Sequence, residues 1–221
     1  MKTNKTVLIV AVLISTWTSW SQGFVNLNFE NSKLTNVVNS GFTTTVAIVP
    51  GWSVDTFNYA NGGDTNSLPY NSFALDSASI SLVGTNPPFG PAAIQGKFSI
   101  MLQGGSVSYF VTNGASIWQT ATIPASSLSL TYWGGPLAVS FGGQALAFSS
   151  IGNGSGYTIW GADISGLAGQ TGTLAFHVPW QTFALLLDNI QFSSTAVPEP
   201  ASAALVLLGG TWLFLHRQRT G

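Results

Sequence analysis

Between residues 23 and 196 no window of eleven or more residues repeats its apolar side chains at the helical period of 3.6. Short runs of Val, Ile, Thr, Phe, Trp and Tyr alternate instead with clusters of Gly, Asn, Ser and Pro, the pattern of strands punctuated by turns. Strands are predicted at 24–29, 44–48, 52–57, 80–83, 98–102, 107–111, 117–123, 128–133, 137–141, 145–148, 157–160, 173–178 and 183–192. Alternation is clearest in Ser127-Leu128-Ser129-Leu130-Thr131-Tyr132 and in Ser116-Ile117-Trp118-Gln119-Thr120-Ala121-Thr122-Ile123. Such strands are antiparallel, with one face in the core and one in water. Many short strands without intervening helices predict an all-β body, a jelly-roll β-sandwich. Gly142-Gly143 suits a hairpin turn, because glycine accepts positive φ at both central positions. Residues 58–71, with Asn61-Gly62-Gly63-Asp64, read as a long surface loop, and 84–91, with Pro87-Pro88, as a second. The chain has no cysteine, so this body must be stabilised by its core alone.

Charge divides the chain into parts. Only 6% of the 221 residues are charged, and the six cations are Lys2, Lys5, Lys33, Lys97, Arg217 and Arg219. The interior therefore holds two lysines against Glu30, Asp55, Asp64, Asp76, Asp163 and Asp188, a formal charge of −4. Two isolated lysines cannot displace the counterions of a phosphate backbone, which excludes nucleic acid as a main partner.

The remaining cations sit in two terminal segments. Lys2 and Lys5 precede an apolar run at 7–14 and a polar stretch at 15–22, the layout of a secretory signal peptide. The small-x-small sequence Ser19-Trp20-Ser21 places cleavage after Ser21, so residues 1–21 are expected to be removed. The body is assigned to 22–193, a linker to 194–197 and a sorting segment to 198–221. That last part reads Pro198-Glu199-Pro200, then an apolar stretch at 201–215, then His216-Arg217-Gln218-Arg219. Counted from Val197 the apolar segment is about 19 residues, enough for one transmembrane helix. Arg217 and Arg219 would hold its end in the cytoplasm and leave the body outside. Pro-Glu-Pro cannot continue a helix and stays extended at the membrane face.

Val197-Pro198-Glu199-Pro200, the apolar helix rich in small residues and the arginine-rich tail together resemble the PEP-CTERM sorting signal of Gram-negative bacteria that possess an exosortase. The resemblance covers about residues 197–219. It implies an inner-membrane intermediate, processing by exosortase at Pro198, Glu199 and Pro200, and export to the cell surface or the extracellular matrix with its exopolysaccharide.

The body carries a second resemblance. Asn26-Leu27-Asn28-Phe29-Glu30, Pro50-Gly51-Trp52, Ile117-Trp118-Gln119-Thr120 and Leu187-Asp188-Asn189-Ile190 look like the galactose-binding-like jelly roll of many carbohydrate-binding modules. In that family a structural calcium often joins the first and last strands through one acid on each. The resemblance puts Glu30 and Asp188 in those positions, and calcium's preference for carboxylate and carbonyl oxygens suits them.

Catalytic chemistry has little to draw on. There is no G-x-S-x-G elbow to serve His177, the only histidine of the body; one histidine cannot build a zinc site, and no spacing singles out a carboxylate pair. Binding asks for less: sugar rings stack their C–H faces on Trp or Tyr while Asn, Gln and Asp take the hydroxyls. Trp118 and Trp160 lie within strands and read as core; Trp133, Trp180, Tyr59 and Tyr70 lie nearer loops and are the candidate platforms. The expectation is a non-enzymatic surface or matrix protein that associates with extracellular polysaccharide. A structural adhesin making protein or self contacts is the alternative, with a polysaccharide-modifying hydrolase behind it.

Overall fold

The computed structural model describes residues 23–39, 42–56, 67–73, 78–105 and 114–197. In chain order the strands are β1 Lys33–Asn39, β2 Phe42–Ile48, β3 Ser53–Thr56, β4 Ser67–Pro69, β5 Ser79–Val83, β6 Ser99–Gln103 and β7 Ala115–Thr122. They continue as β8 Ser129–Gly134, β9 Ala138–Phe141, β10 Gln144–Ala145, β11 Ser149–Gly154, β12 Tyr157–Asp163, β13 Thr171–Val178 and β14 Leu185–Ser193. One short 3₁₀ turn, Ser165–Leu167, interrupts them, and there is no α-helix among the described residues. No described helix is long and apolar enough to cross a membrane. The expected signal peptide, 1–21, and sorting segment, 198–221, lie outside the described residues.

The strands form a five-stranded sheet of order β10-β9-β13-β7-β3, a six-stranded sheet of order β11-β12-β8-β14-β6-β5 and a small sheet β1-β2-β4. The two larger sheets face each other as a sandwich, because alternation gives each an apolar inner face that must leave water. On β7 the inner side chains are Ala115, Ile117, Gln119 and Ala121, all buried, while Ser116, Trp118, Thr120 and Thr122 point outward. On β8, Leu130 and Tyr132 point inward and Thr131 and Trp133 outward. A chain of rings links the sheets: Phe29 to Trp52 at 5.6 Å, Trp52 to Phe176 at 6.2 Å and Phe176 to Tyr132 at 5.5 Å. Burial pushes the Tyr132 hydroxyl up to about 12, and it stays satisfied by donating to the Gly135 carbonyl and accepting from the Leu137 N–H.

The expected hairpin is present: Phe141 pairs with Gln144, and Gly142 and Gly143 take φ of 57° and 83°. Three strands were not expected. β1, β4 and β11 are polar or mixed sequences with no alternation, and pairing with a neighbour rather than their own pattern makes them strands. β4 falls inside the segment read as one loop. The strand expected at 24–29 is instead a turn, with Asn26 at φ 51° and Phe29 at φ 59°, because its side chains anchor a loop rather than a ladder. The strand expected at 107–111 lies outside the described residues.

Candidate functional site

Two features of the six-stranded sheet meet at the start of β14. There Leu187 enters the core, and Asp188 turns to the other face, in register with Trp133 of β8. A bulge between Asp188 and Gln191, with Asn189 at φ 46°, interrupts the ladder just beyond it. Bulges commonly re-aim a side chain in this way. Asp188 is 1% exposed.

The loop at 26–31 is nailed to the same place. Phe29 is fully buried, Trp52 Nε1 donates to the Asn26 carbonyl at 3.0 Å, and Ile190 N donates to the Leu27 carbonyl at 3.0 Å. Glu30 is thereby carried to the side of Asp188. Both carboxylates hold the segment before β6: Glu30 Oε1 accepts from Lys97 N at 2.8 Å and Phe98 N at 3.1 Å. Asp188 Oδ2 accepts from Ser99 Oγ at 2.7 Å and Gln95 N at 3.2 Å, and its Oδ1 from Asn189 N. Gly96, at φ 63°, permits the close approach, since a Cβ there would lie 2.3 Å from Glu30 Oε1. Asn28, Glu30, Gln95, Gly96, Asp188 and Asn189 line a cavity of about 80 Å³, room for two or three waters.

Burial pushes Asp188 up to about 6, against the hydrogen bonds from Ser99, Asn189 and Gln95; the negative charge of Glu30 raises it further. No ion pair to either carboxylate is found among the described residues. The cavity is thus a site of paired negative charge walled by oxygen donors, with the amide side chains of Asn28 and Asn189 beside the carboxylates. Carboxylate and amide oxygens are the ligand types a hard divalent cation takes; here Asn28 Oδ1 accepts from Glu30 N at 3.4 Å and Asn189 Oδ1 from Gln191 Nε2 at 2.8 Å. No group of three His, Cys, Asp or Glu side chains that could hold a metal ion converges among the described residues.

A trough of about 510 Å³ lies beside this cavity. It is lined by Pro91 and Ile94 from the connection before β6, by Gly134 to Pro136 after β8, by Tyr157 and Thr158 at the start of β12, and by Leu185 and Leu186. Tyr157 stacks on Trp133 with centroids 4.8 Å apart and planes 16° from parallel. One hydroxyl joins trough and cavity: Ile94 N donates to Ser99 Oγ at 2.9 Å, and Ser99 Oγ donates to Asp188 Oδ2.

The structure places the other sequence candidates apart from this site. Tyr70 is half-buried, meets Phe98 edge-on at 6.2 Å and packs on the core. Trp180 is half-buried in the connection to β14, with a buried Nε1 that finds no acceptor among the described residues. Tyr59, Pro198, Glu199, Pro200, Arg217 and Arg219 lie outside the described residues. Tyr157 was missed by sequence reading although it follows a turn at Gly156; it is half-buried at the first position of β12. Trp160 does belong to the core fringe, its Nε1 donating to the Gly134 carbonyl at 3.1 Å.

A hydroxyl-imidazole pair also exists on the five-stranded sheet, where Ser116 Oγ and His177 Nδ1 are 2.8 Å apart. Asp55 stands in register with Ser116, on the side away from His177. A hydrolytic triad needs the carboxylate on the far nitrogen of the histidine, so the order here is wrong.

Family models of known domains give no match to this chain, and neither do curated protein sequences. Among solved structures it is similar to the enzymatically active domain of bacteriophage CBA120 tailspike protein 4, at 16% identity and a TM-score of 0.36. The superposition covers 65% of this chain and 19% of that one, a likeness too distant to transfer fold or activity.

Proposed function

We propose that this chain is an exported, exosortase-processed surface or matrix protein whose jelly-roll body binds extracellular polysaccharide without catalysis. One observation carries the binding part: a trough walled by the Tyr157 ring, itself braced on Trp133, and by a segment that two carboxylates hold in place. A pyranose ring would lay its C–H face on Tyr157, with Thr158 and backbone groups taking hydroxyls. Glu30 and Asp188, with the side-chain oxygens of Asn28 and Asn189, would hold calcium. The bound ion would supply the positive charge that lets both carboxylates stay ionised at close range.

The test is affinity electrophoresis of the full chain through gels containing neutral and acidic polysaccharides. Retardation that falls severalfold in Tyr157→Ala supports the reading, and unretarded migration in every gel with the fold intact removes it. Replacing Glu199 in an exosortase-bearing host should leave the chain unprocessed in the membrane, and normal processing would refute the sorting assignment. A second reading, an adhesin making protein or self contacts, is favoured by Phe89 and Phe183, which are 79% and 76% exposed. It would show self-association that free sugars do not compete.

A further inference from the structure

The outer face of the five-stranded sheet carries one indole in a field of small polar side chains. In β7, Trp118 shares this face with Ser116, Thr120 and Thr122, opposite the buried Ile117. Its cross-strand neighbours are Ser53 on β3 and Ala175 on β13, and Ala175 pairs in turn with Ser140 on β9. With these small neighbours the indole is half-buried, neither fully covered nor fully exposed. Trp52, Trp133 and Trp160 each stack on or tilt against another ring, and Trp52 and Trp160 also donate their N–H to a carbonyl. Trp118 does neither among the described residues: it has no ring partner, and its N–H has no acceptor.

The surroundings say what would cover it. Thr120 and Thr173 are paired at 2.7 Å, as are Thr122 and Thr171, which fixes a ladder of hydroxyls beside the indole. On the other side Ser116, His177 and Asp55 form a row across three strands. An apolar protein partner would cut these polar groups off from water without replacing its hydrogen bonds, and a nucleic acid or polyanion finds no cation row here. A flat, neutral chain of sugar rings satisfies both parts, with one ring face on the indole and its hydroxyls on the Thr, Ser, Asp and His side chains.

We infer that the Trp118 face is a second binding platform for a neutral, equatorially linked polysaccharide, on the opposite side of the sandwich from the Tyr157 trough. This rests on the reading of the body as a polysaccharide binder and extends it to two sites. Two sites on opposite faces make the protein a cross-linker, because one molecule can hold two chains or clamp one by avidity.

The probe is soluble hydroxyethylcellulose, with dextran as the flexible α-linked comparator. Full-length protein, Trp118→Ala, Tyr157→Ala and the double variant are run through gels of each, and the viscosity of protein and hydroxyethylcellulose mixtures is followed. Near-ultraviolet circular dichroism checks that each variant keeps its core, and Trp118→Phe, which retains a ring, should recover part of the retention. The expected result is that each single alanine variant binds about tenfold more weakly, while the double variant is not retained. Only the full-length protein with both rings should raise viscosity. Retention and viscosity of Trp118→Ala equal to the unsubstituted protein would overturn the inference while leaving the trough intact. Loss in Trp118→Ala with none in Tyr157→Ala would support the Trp118 platform and sink the trough reading.

Discussion

Ser99 Oγ donates to Asp188 Oδ2 at 2.7 Å while accepting from Ile94 N at 2.9 Å, so one hydroxyl ties a buried carboxylate to the wall of the trough. Glu30 repeats the device on Lys97 N and Phe98 N. The segment leading into β6 thus takes its shape from two acids that come from opposite ends of the body. Whatever changes the charge of that pair changes the segment bordering the trough.

Protonation is the first such change. Asp188 is held up at about 6 from 3.8, so between those values the folded state keeps a proton that the unfolded state has lost. The stabilisation is complete below pH 4 and disappears as pH rises through about 6. In metal-free buffer, stability should therefore fall by about 3 kcal/mol across that window, with a slope of about 1.4 kcal/mol per pH unit. Chemical denaturation in the presence of a chelator between pH 4 and 7 measures it. Asp188→Asn should flatten the slope, and an unchanged slope in that variant would assign the proton elsewhere.

Calcium should act in the opposite direction. A cation bound to the folded state alone adds about 2.7 kcal/mol at a hundredfold excess over its dissociation constant, or roughly 5–10 °C in melting temperature for a body of this size. The rise should be largest at neutral pH, where both carboxylates are ionised, and Glu30→Gln should abolish most of it. Melting curves that calcium and chelator leave superimposed would show that the cavity holds no such ion.

The architecture was legible where alternation spoke for itself, as in β7, β8 and the Gly142-Gly143 hairpin. It was illegible in β1, β4 and β11, whose polar residues become strands only because a partner edge satisfies their backbone groups. The turn at Asn26 and Phe29 was hidden too, since left-handed non-glycine residues follow from tertiary anchoring rather than local preference. The convergence of Glu30 and Asp188 came from a resemblance, and no spacing announces that residues 158 positions apart will meet. Trp118 shows a conflict between two signals. Its place in Ser116-x-Trp118-x-Thr120-x-Thr122 puts it on the polar face, whereas its residue type suggested the core, and periodicity was the better guide. The trough was beyond reach because it joins four segments that only the folded sheet brings together.

Gly96 offers a sharper probe of the carboxylate cavity. A methyl group there must adopt φ 63° and displace Glu30 Oε1, which would lie 2.3 Å away. Gly142 has a similar φ of 57° with nothing within 4 Å, so its alanine variant reports backbone strain alone. Gly142→Ala should cost about 1 kcal/mol. Gly96→Ala should cost about 1–2 kcal/mol more and weaken the calcium response, because Glu30 has to move. Equal costs in the two variants, with calcium response unchanged in both, would show that Glu30 can swing aside without consequence.

Trp52 links the core to the same cavity. It is 1% exposed, packs on Phe29 and Phe176, and its Nε1 donates to the carbonyl of Asn26, whose φ of 51° starts the loop bearing Glu30. Trp52→Phe keeps a ring in the core but removes one of that carbonyl's two donors, Phe29 N remaining at 3.2 Å, a loss of about 1 kcal/mol with a further contribution from the smaller ring. The loop should then hold Glu30 less firmly, so calcium should bind several-fold more weakly even under conditions where the variant is fully folded. Trp52→Ala should cost about 3–5 kcal/mol through the cavity it opens. Calorimetric titration of calcium into folded Trp52→Phe separates packing from positioning. Reduced stability with undiminished calcium affinity would mean that Phe29 and the Ile190 to Leu27 bond hold the loop without help from the indole.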